Sequence, residues 1–166
     1  MYLSLYYLLF FFSGIAGLVY ESIWSHYLKL FLGHAAYSQT LVLVIYMGGM
    51  ALGAWAGGLL IKKVKNLLLY YAGIEIILGI AALFFHDLFQ VYLSFSYDTV
   101  IPSIDNPLII LCYKWVSSSI LILPQSILLG ATFPCMAAGF IRNFPGSDGY
   151  KIAFLYFTNT IGAALG

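Results

Sequence analysis

The chain has 166 residues, of which 63% are hydrophobic and 8% charged, with a formal net charge of +1 at pH 7. Soluble domains carry charge on about a quarter of their residues, so this chain cannot cover a water-facing surface. Seven Lys and Arg are also too few for the phosphate neutralisation on which nucleic-acid binding rests. Long apolar stretches recur between short polar breaks, each near or above the ~20 residues that cross a hydrocarbon core. The expectation is an all-α, multi-pass transmembrane helix bundle whose main partner is the lipid bilayer.

The first helix is expected over residues 5–31, ending in a turn at Gly33-His34-Ala35. A cleaved signal peptide does not fit, because no Lys or Arg precedes the apolar run and hydrophobicity continues past the small residues Ser13 to Gly17. The second helix covers 37–61 and stops at Lys62-Lys63-Val64-Lys65-Asn66; the third covers 67–85. Residues 86–107 mix His86, Asp87, Asp98 and Asp105 with aromatics and two prolines. They read as an amphipathic piece on the outer membrane surface, with Phe89, Tyr92, Phe95 and Tyr97 at headgroup level. A fourth helix over 108–141 spans ~51 Å at 1.5 Å per residue, longer than the ~30 Å core. Its first turns, with Tyr113, Trp115 and Lys114 as an interfacial snorkeller, stand in the interface, and Pro124 and Pro134 kink the rest. A fifth segment, 150–166, gives only ~25 Å and reads as truncated. Five of the seven basic residues (Lys62, Lys63, Lys65, Arg142, Lys151) fall on one side. By the positive-inside rule that side, and the N-terminus, are cytoplasmic, in the plasma membrane.

Small and polar residues inside the apolar segments carry the remaining signal. Gly49, Gly53 and Gly57 follow a GxxxGxxxG spacing, and Gly162 and Gly166 repeat it; both mark tight helix packing. Glu21 shares a helical stripe with Ser13, Gly17, Trp24 and Leu28, and a carboxylate inside a span costs about 2.5–3.5 kcal/mol on insertion scales unless it finds a partner or water. It is either a functional site facing the bundle or an interfacial residue. Glu75 sits with Ala72, Gly79 and Ala82, either as a proton or cation site of a coupled carrier or as a structural hydrogen-bonding group. Gln125 and Asn159 add amides near mid-membrane, where bonding between helices is the usual use.

No catalytic constellation, nucleotide loop or metal-ligand spacing is present, so neither a cofactor nor a metal is expected. Cys112 and Cys135 read as packing residues. The histidines His26, His34 and His86 all fall in outer regions.

Four stretches occur in order: Tyr20-Glu21-Ser22-Ile23-Trp24; Met47-Gly48-Gly49-Met50-Ala51-Leu52-Gly53 with Gly57-Gly58; Gly130-Ala131-Thr132-Phe133-Pro134; and Tyr156-Phe157-Thr158-Asn159-Thr160-Ile161-Gly162. Together they resemble the membrane domain of fused proteins in which a major-facilitator-like bundle precedes a spermidine-synthase-like domain. The resemblance implies the first half of a facilitator-like bundle, with further helices and a synthase-like domain as partners in the full-length protein. The aminopropyltransferase chemistry of that domain is not carried by these residues. In the facilitator gating loop an Asp precedes the basic residues; here Ile61 takes that place. Two functions follow as expectations: a carrier of a polyamine or related small solute, with Glu21, Glu75, Gln125 and Asn159 as candidate binding residues, or a non-transporting membrane anchor or assembly subunit.

Overall fold

The computed structural model describes residues 3–33, 35–146 and 149–166. Within them the fold is helical: α1 (Leu3–Leu32), α2 (Ala35–Leu60), α3 (Leu67–Phe95), α4 (Pro107–Asn143) and α5 (Gly149–Leu165). The first four are long and apolar enough to cross a membrane. Large apolar side chains also cover the outside, among them Leu83, Val91, Leu69 and Trp55, each at least 68% exposed. Outward-facing Leu, Val and Trp on every side suit lipid as the surrounding solvent.

Local chemistry sets the helix ends. At Gly33 the backbone turns to φ +81° and its N–H donates to the Lys29 carbonyl at 3.0 Å, a left-handed stop that glycine adopts without steric cost. Asn66 and Asn106 cap α3 and α4, accepting from the Leu69 and Leu108 N–H groups at 3.2 and 2.9 Å, and Pro107 occupies the first turn of α4, where its missing donor is harmless. His34, and Ser147 and Asp148 of the α4–α5 connection, lie outside the described residues.

The third helix departs from the sequence expectation. It runs through His86 and Asp87 to Phe95, continuing as a π turn (Ser96–Val100) and a 3-10 turn (Ile101–Ser103). Residues 86–103 are thus not a separate surface segment. Phe85, Phe89, Tyr92 and Ser96 recur at helical spacing, and Phe85, Phe89 and Ser96 are buried, so the apolar stripe that packs α3 on α1 and α4 continues while His86, Asp87 and Gln90 point outward. Phe89 belongs to a cluster with Trp24, Phe31, Val42 and Ile122 rather than to a headgroup belt. Pro102 ends the run.

The helices associate as two tight pairs, α1 with α5 and α2 with α4, which make the most extensive contacts in the molecule. The Tyr7 hydroxyl reaches the Lys151 carbonyl, so α1 and α5 start together and run parallel. Arg142, ending α4, donates to the Ile61 and Val64 carbonyls at the end of α2 (2.7 and 2.8 Å), so α2 and α4 are parallel too. Asn143 donates to the Tyr6 hydroxyl at 2.7 Å. The end of α4 therefore meets the start of α1, and the two pairs run antiparallel.

Lipid is as apolar as leucine, so close packing rather than a hydrophobic driving force holds such pairs. Small residues supply it at equivalent positions. A Cβ at Gly14 of α1 would overlap the Asn159 carbonyl of α5, and one at Gly130 of α4 would overlap that of Met50 of α2. Three residues on from Asn159 and Met50 stand Gly162 and Gly53, whose own Cβ atoms would overlap the carbonyls of Phe11 and Ile127, three residues before Gly14 and Gly130. Gly166 and Gly57 then press on Ile15 and Ala131, one residue after those glycines. The glycine contacts of the two antiparallel pairs thus correspond position by position, α1 with α4 and α2 with α5.

Arg142 also fixes the turn after α2, since its guanidinium forms charge-assisted bonds to carbonyls that the helix leaves unpaired. Arg142→Gln should raise amide hydrogen exchange of residues 62–65 by about fivefold, the loss of about 1 kcal/mol at an exposed site. Exchange unchanged from the wild type would show that the turn holds without the clamp.

Candidate functional site

Where the two pairs face each other the packing opens into a cavity of about 400 Å³, lined from all four helices. It lies between two apolar clusters: one around Tyr6, Phe10, Met136 and Phe140 at the end bearing the basic residues, the other around Trp24, Phe31 and Phe89 toward the far end. Ser13 stands ten residues into α1 and Asn159 ten into α5, ~15 Å along each helix; with the excess of the ~45 Å α1 over a ~30 Å core shared between both ends, Ser13 lies ~8 Å inside on the side bearing the basic residues. The wall contains aromatic rings (Phe10, Tyr46, Phe133, Tyr156), hydroxyls (Ser13, Thr132, Thr160) and the Asn159 amide, with no Asp, Glu, Lys, Arg or His. Phe133 lies against both Phe10 and Tyr156, with ring centroids 5.8 and 5.5 Å apart.

The four residues singled out in the sequence fall in different places. Asn159 lines the cavity, and its Nδ2 donates to the Phe10 carbonyl at 2.9 Å, bridging α5 to α1. Gln125 bonds within its own helix: Nε2 donates to the Leu121 carbonyl at 3.0 Å beside the interruption at Pro124. That use differs from the interhelical one expected of it: the amide bonds a carbonyl one turn back on α4 rather than a neighbouring helix.

Glu75 faces α1. The Ser13 hydroxyl donates to its Oε1 at 2.6 Å, and Tyr71 is within hydrogen-bonding reach of both. Gly79, one turn on along the same stripe, meets nothing within 4 Å of an added Cβ, so the small residues around Glu75 do not mark a tight helix contact.

Glu21 opens instead into a cleft of about 460 Å³ between α1 and α2, with Ser22, Ser25, Gln39 and Thr40 around it. It is half-buried, and no ion pair reaches it among the described residues. The 30-residue α1 is ~45 Å long, and with the excess over a ~30 Å core shared between both ends, Glu21 sits ~9 Å inside. Its stripe mates Ser13 and Gly17 line the cavity between the pairs; Glu21, one turn further along α1, is not among its lining residues but lies within electrostatic range of the cavity's Tyr46.

At the far end Lys114 does more than snorkel. Its Nζ donates to the Phe31 carbonyl at 2.9 Å and lies 5.2 and 5.3 Å from the Phe31 and Tyr97 ring centroids, a cation on the negative end of the α1 dipole. His86 Nδ1 pairs with the Tyr27 hydroxyl at 2.7 Å. Among the described residues no His, Cys, Asp and Glu cluster could hold a metal ion.

Sequence reasoning missed Tyr46, Thr132, Phe133 and Thr160 as wall residues. The signal for Thr132 and Phe133 was their place beside Gly130, which brings that turn of α4 against α2. No known protein family, curated protein or solved structure matches the chain.

Proposed function

We propose that the chain is a translocating part of a membrane carrier and that its solute sits in the cavity between the two glycine-packed pairs. The observation that carries this reading is the cavity's position, between two antiparallel helix pairs whose glycine contacts correspond as those of an inverted repeat would. Secondary carriers are commonly built from inverted repeats with the substrate near the midplane at their interface. The volume of about 400 Å³ falls in the range of small-molecule sites. The facilitator-like motifs read from the sequence favour the same function, and they extend it to a synthase-fused protein handling a polyamine or a related amine.

Ala54 lines the cavity and its side chain is exposed, so a larger residue there fills the space without breaking a helix contact. In proteoliposomes, the full chain should take up labelled spermidine or labelled phenethylamine above empty vesicles, and Ala54→Trp should cut that uptake at least about tenfold while the protein remains folded. Uptake of neither probe above empty vesicles would overturn the carrier reading in favour of the anchor or assembly subunit. Uptake undiminished in Ala54→Trp would overturn the cavity as its route.

A further inference from the structure

The hydrogen bonds of the cavity wall narrow the class of solute. A hydroxyl offers one donor and two acceptor sites, and an amide nitrogen two donors. In the wall these donors are largely spent. Ser13 donates to Glu75 (2.6 Å), Thr132 to the Leu129 carbonyl (2.6 Å), Thr160 to the Tyr156 carbonyl (3.0 Å), and Asn159 to the Phe10 carbonyl (2.9 Å). The Tyr46 and Tyr156 hydroxyls and the second Asn159 N–H are left to donate. What faces the cavity is therefore mostly lone pairs and ring faces.

Charge points the same way. No cation lines the wall, whereas Glu75 stands directly behind Ser13 and Glu21 lies within electrostatic range of Tyr46. In a low-dielectric site two carboxylates at that range favour a positive occupant and oppose a negative one. The rings of Phe10, Phe133 and Tyr156 supply faces on which a cation is attracted. Both carboxylates lie behind the wall rather than in it, so nothing is placed to pair separately with the several charges of an extended polyamine.

We propose that the cavity takes a compact organic monoamine, one ammonium on an apolar or aromatic body, and discriminates against anions and polyamines. This inference rests on the carrier reading of the same cavity.

The test is equilibrium binding of labelled phenethylamine to the full chain in nanodiscs, with 3-phenylpropionate and spermidine as competitors. Binding should be saturable, at least about tenfold less sensitive to spermidine than to unlabelled phenethylamine, and indifferent to 3-phenylpropionate. Phe133→Leu and Thr160→Val should each weaken it by roughly three- to tenfold, and Ala54→Trp should abolish it. Phe133 and Thr160 are both exposed, so these variants keep the fold. Competition by 3-phenylpropionate or spermidine as strong as by the amine would overturn the assignment, as would binding unchanged in Ala54→Trp. Saturable amine binding without uptake into vesicles would sustain the amine site and overturn the carrier reading. Cavity-dependent spermidine uptake without amine binding would do the reverse.

Discussion

Alanine at Gly53 or at Gly162 should cost about 3 kcal/mol of bundle stability, while alanine at Gly48 or Gly58 should be neutral or gain up to about 1 kcal/mol. A single methyl is the smallest possible perturbation, and the four sites differ only in what it meets. At Gly53 and Gly162 the added Cβ falls on a backbone carbonyl of the facing helix, which cannot rotate away as a side chain tip could, so the helices of the pair must separate along the contact. Overpacking a close-packed site typically costs 1–3 kcal/mol, and backbone against backbone lies at the upper end. At Gly48 and Gly58 nothing stands within 4 Å, and the substitution only replaces the poorest ordinary helix former by the best. Equilibrium unfolding in bicelles, followed by the fluorescence of Trp24, Trp55 and Trp115, measures all four. The corresponding contacts of the two pairs add a sharper requirement: the Gly53 and Gly162 losses should match each other within about 1 kcal/mol. A Gly53→Ala loss no greater than that of Gly48→Ala would dissolve the paired-helix account of the fold.

Much of this was legible in the sequence, and the limits have physical causes. The glycine spacing on α2 and α5 could be read, because a period of four on a helix puts small residues on one face. The glycines they answer to could not: Gly14 and Gly130 contribute the decisive close approach singly, and a single glycine carries no periodic signal. The end of α3 was misplaced because His86 and Asp87 were weighed by polarity rather than position; the stripe through Phe85, Phe89 and Ser96 stays buried on the opposite face. For the site, Glu21 and Glu75 drew attention because charge is costly in lipid, whereas the cavity itself is lined by uncharged groups whose significance lies in where four helices converge. Convergence is a tertiary property. Only Asn159, of the residues singled out, is part of that wall.

The two carboxylates should respond to the same substitution with opposite signs. Glu75→Leu removes the acceptor of the Ser13 hydroxyl and of the neighbouring Tyr71; stranding those donors inside the bundle should cost about 2 kcal/mol. Glu75→Gln, which keeps an acceptor in place, should recover most of that loss. Glu21 has no such partner among the described residues and faces an open polar cleft, so its burial is an uncompensated cost. Glu21→Leu should therefore stabilise the bundle, by up to the ~2.5–3.5 kcal/mol that a carboxylate costs at the middle of a span. The same bicelle unfolding measurement reads both. If Glu21→Leu destabilises as Glu75→Leu does, Glu21 is a structural group and its cleft has no claim on a ligand. If the signs divide as expected, the chain retains at Glu21 a charge that its fold would be more stable without. A residue kept at a cost in stability is one whose reason must be sought in what the protein binds or moves.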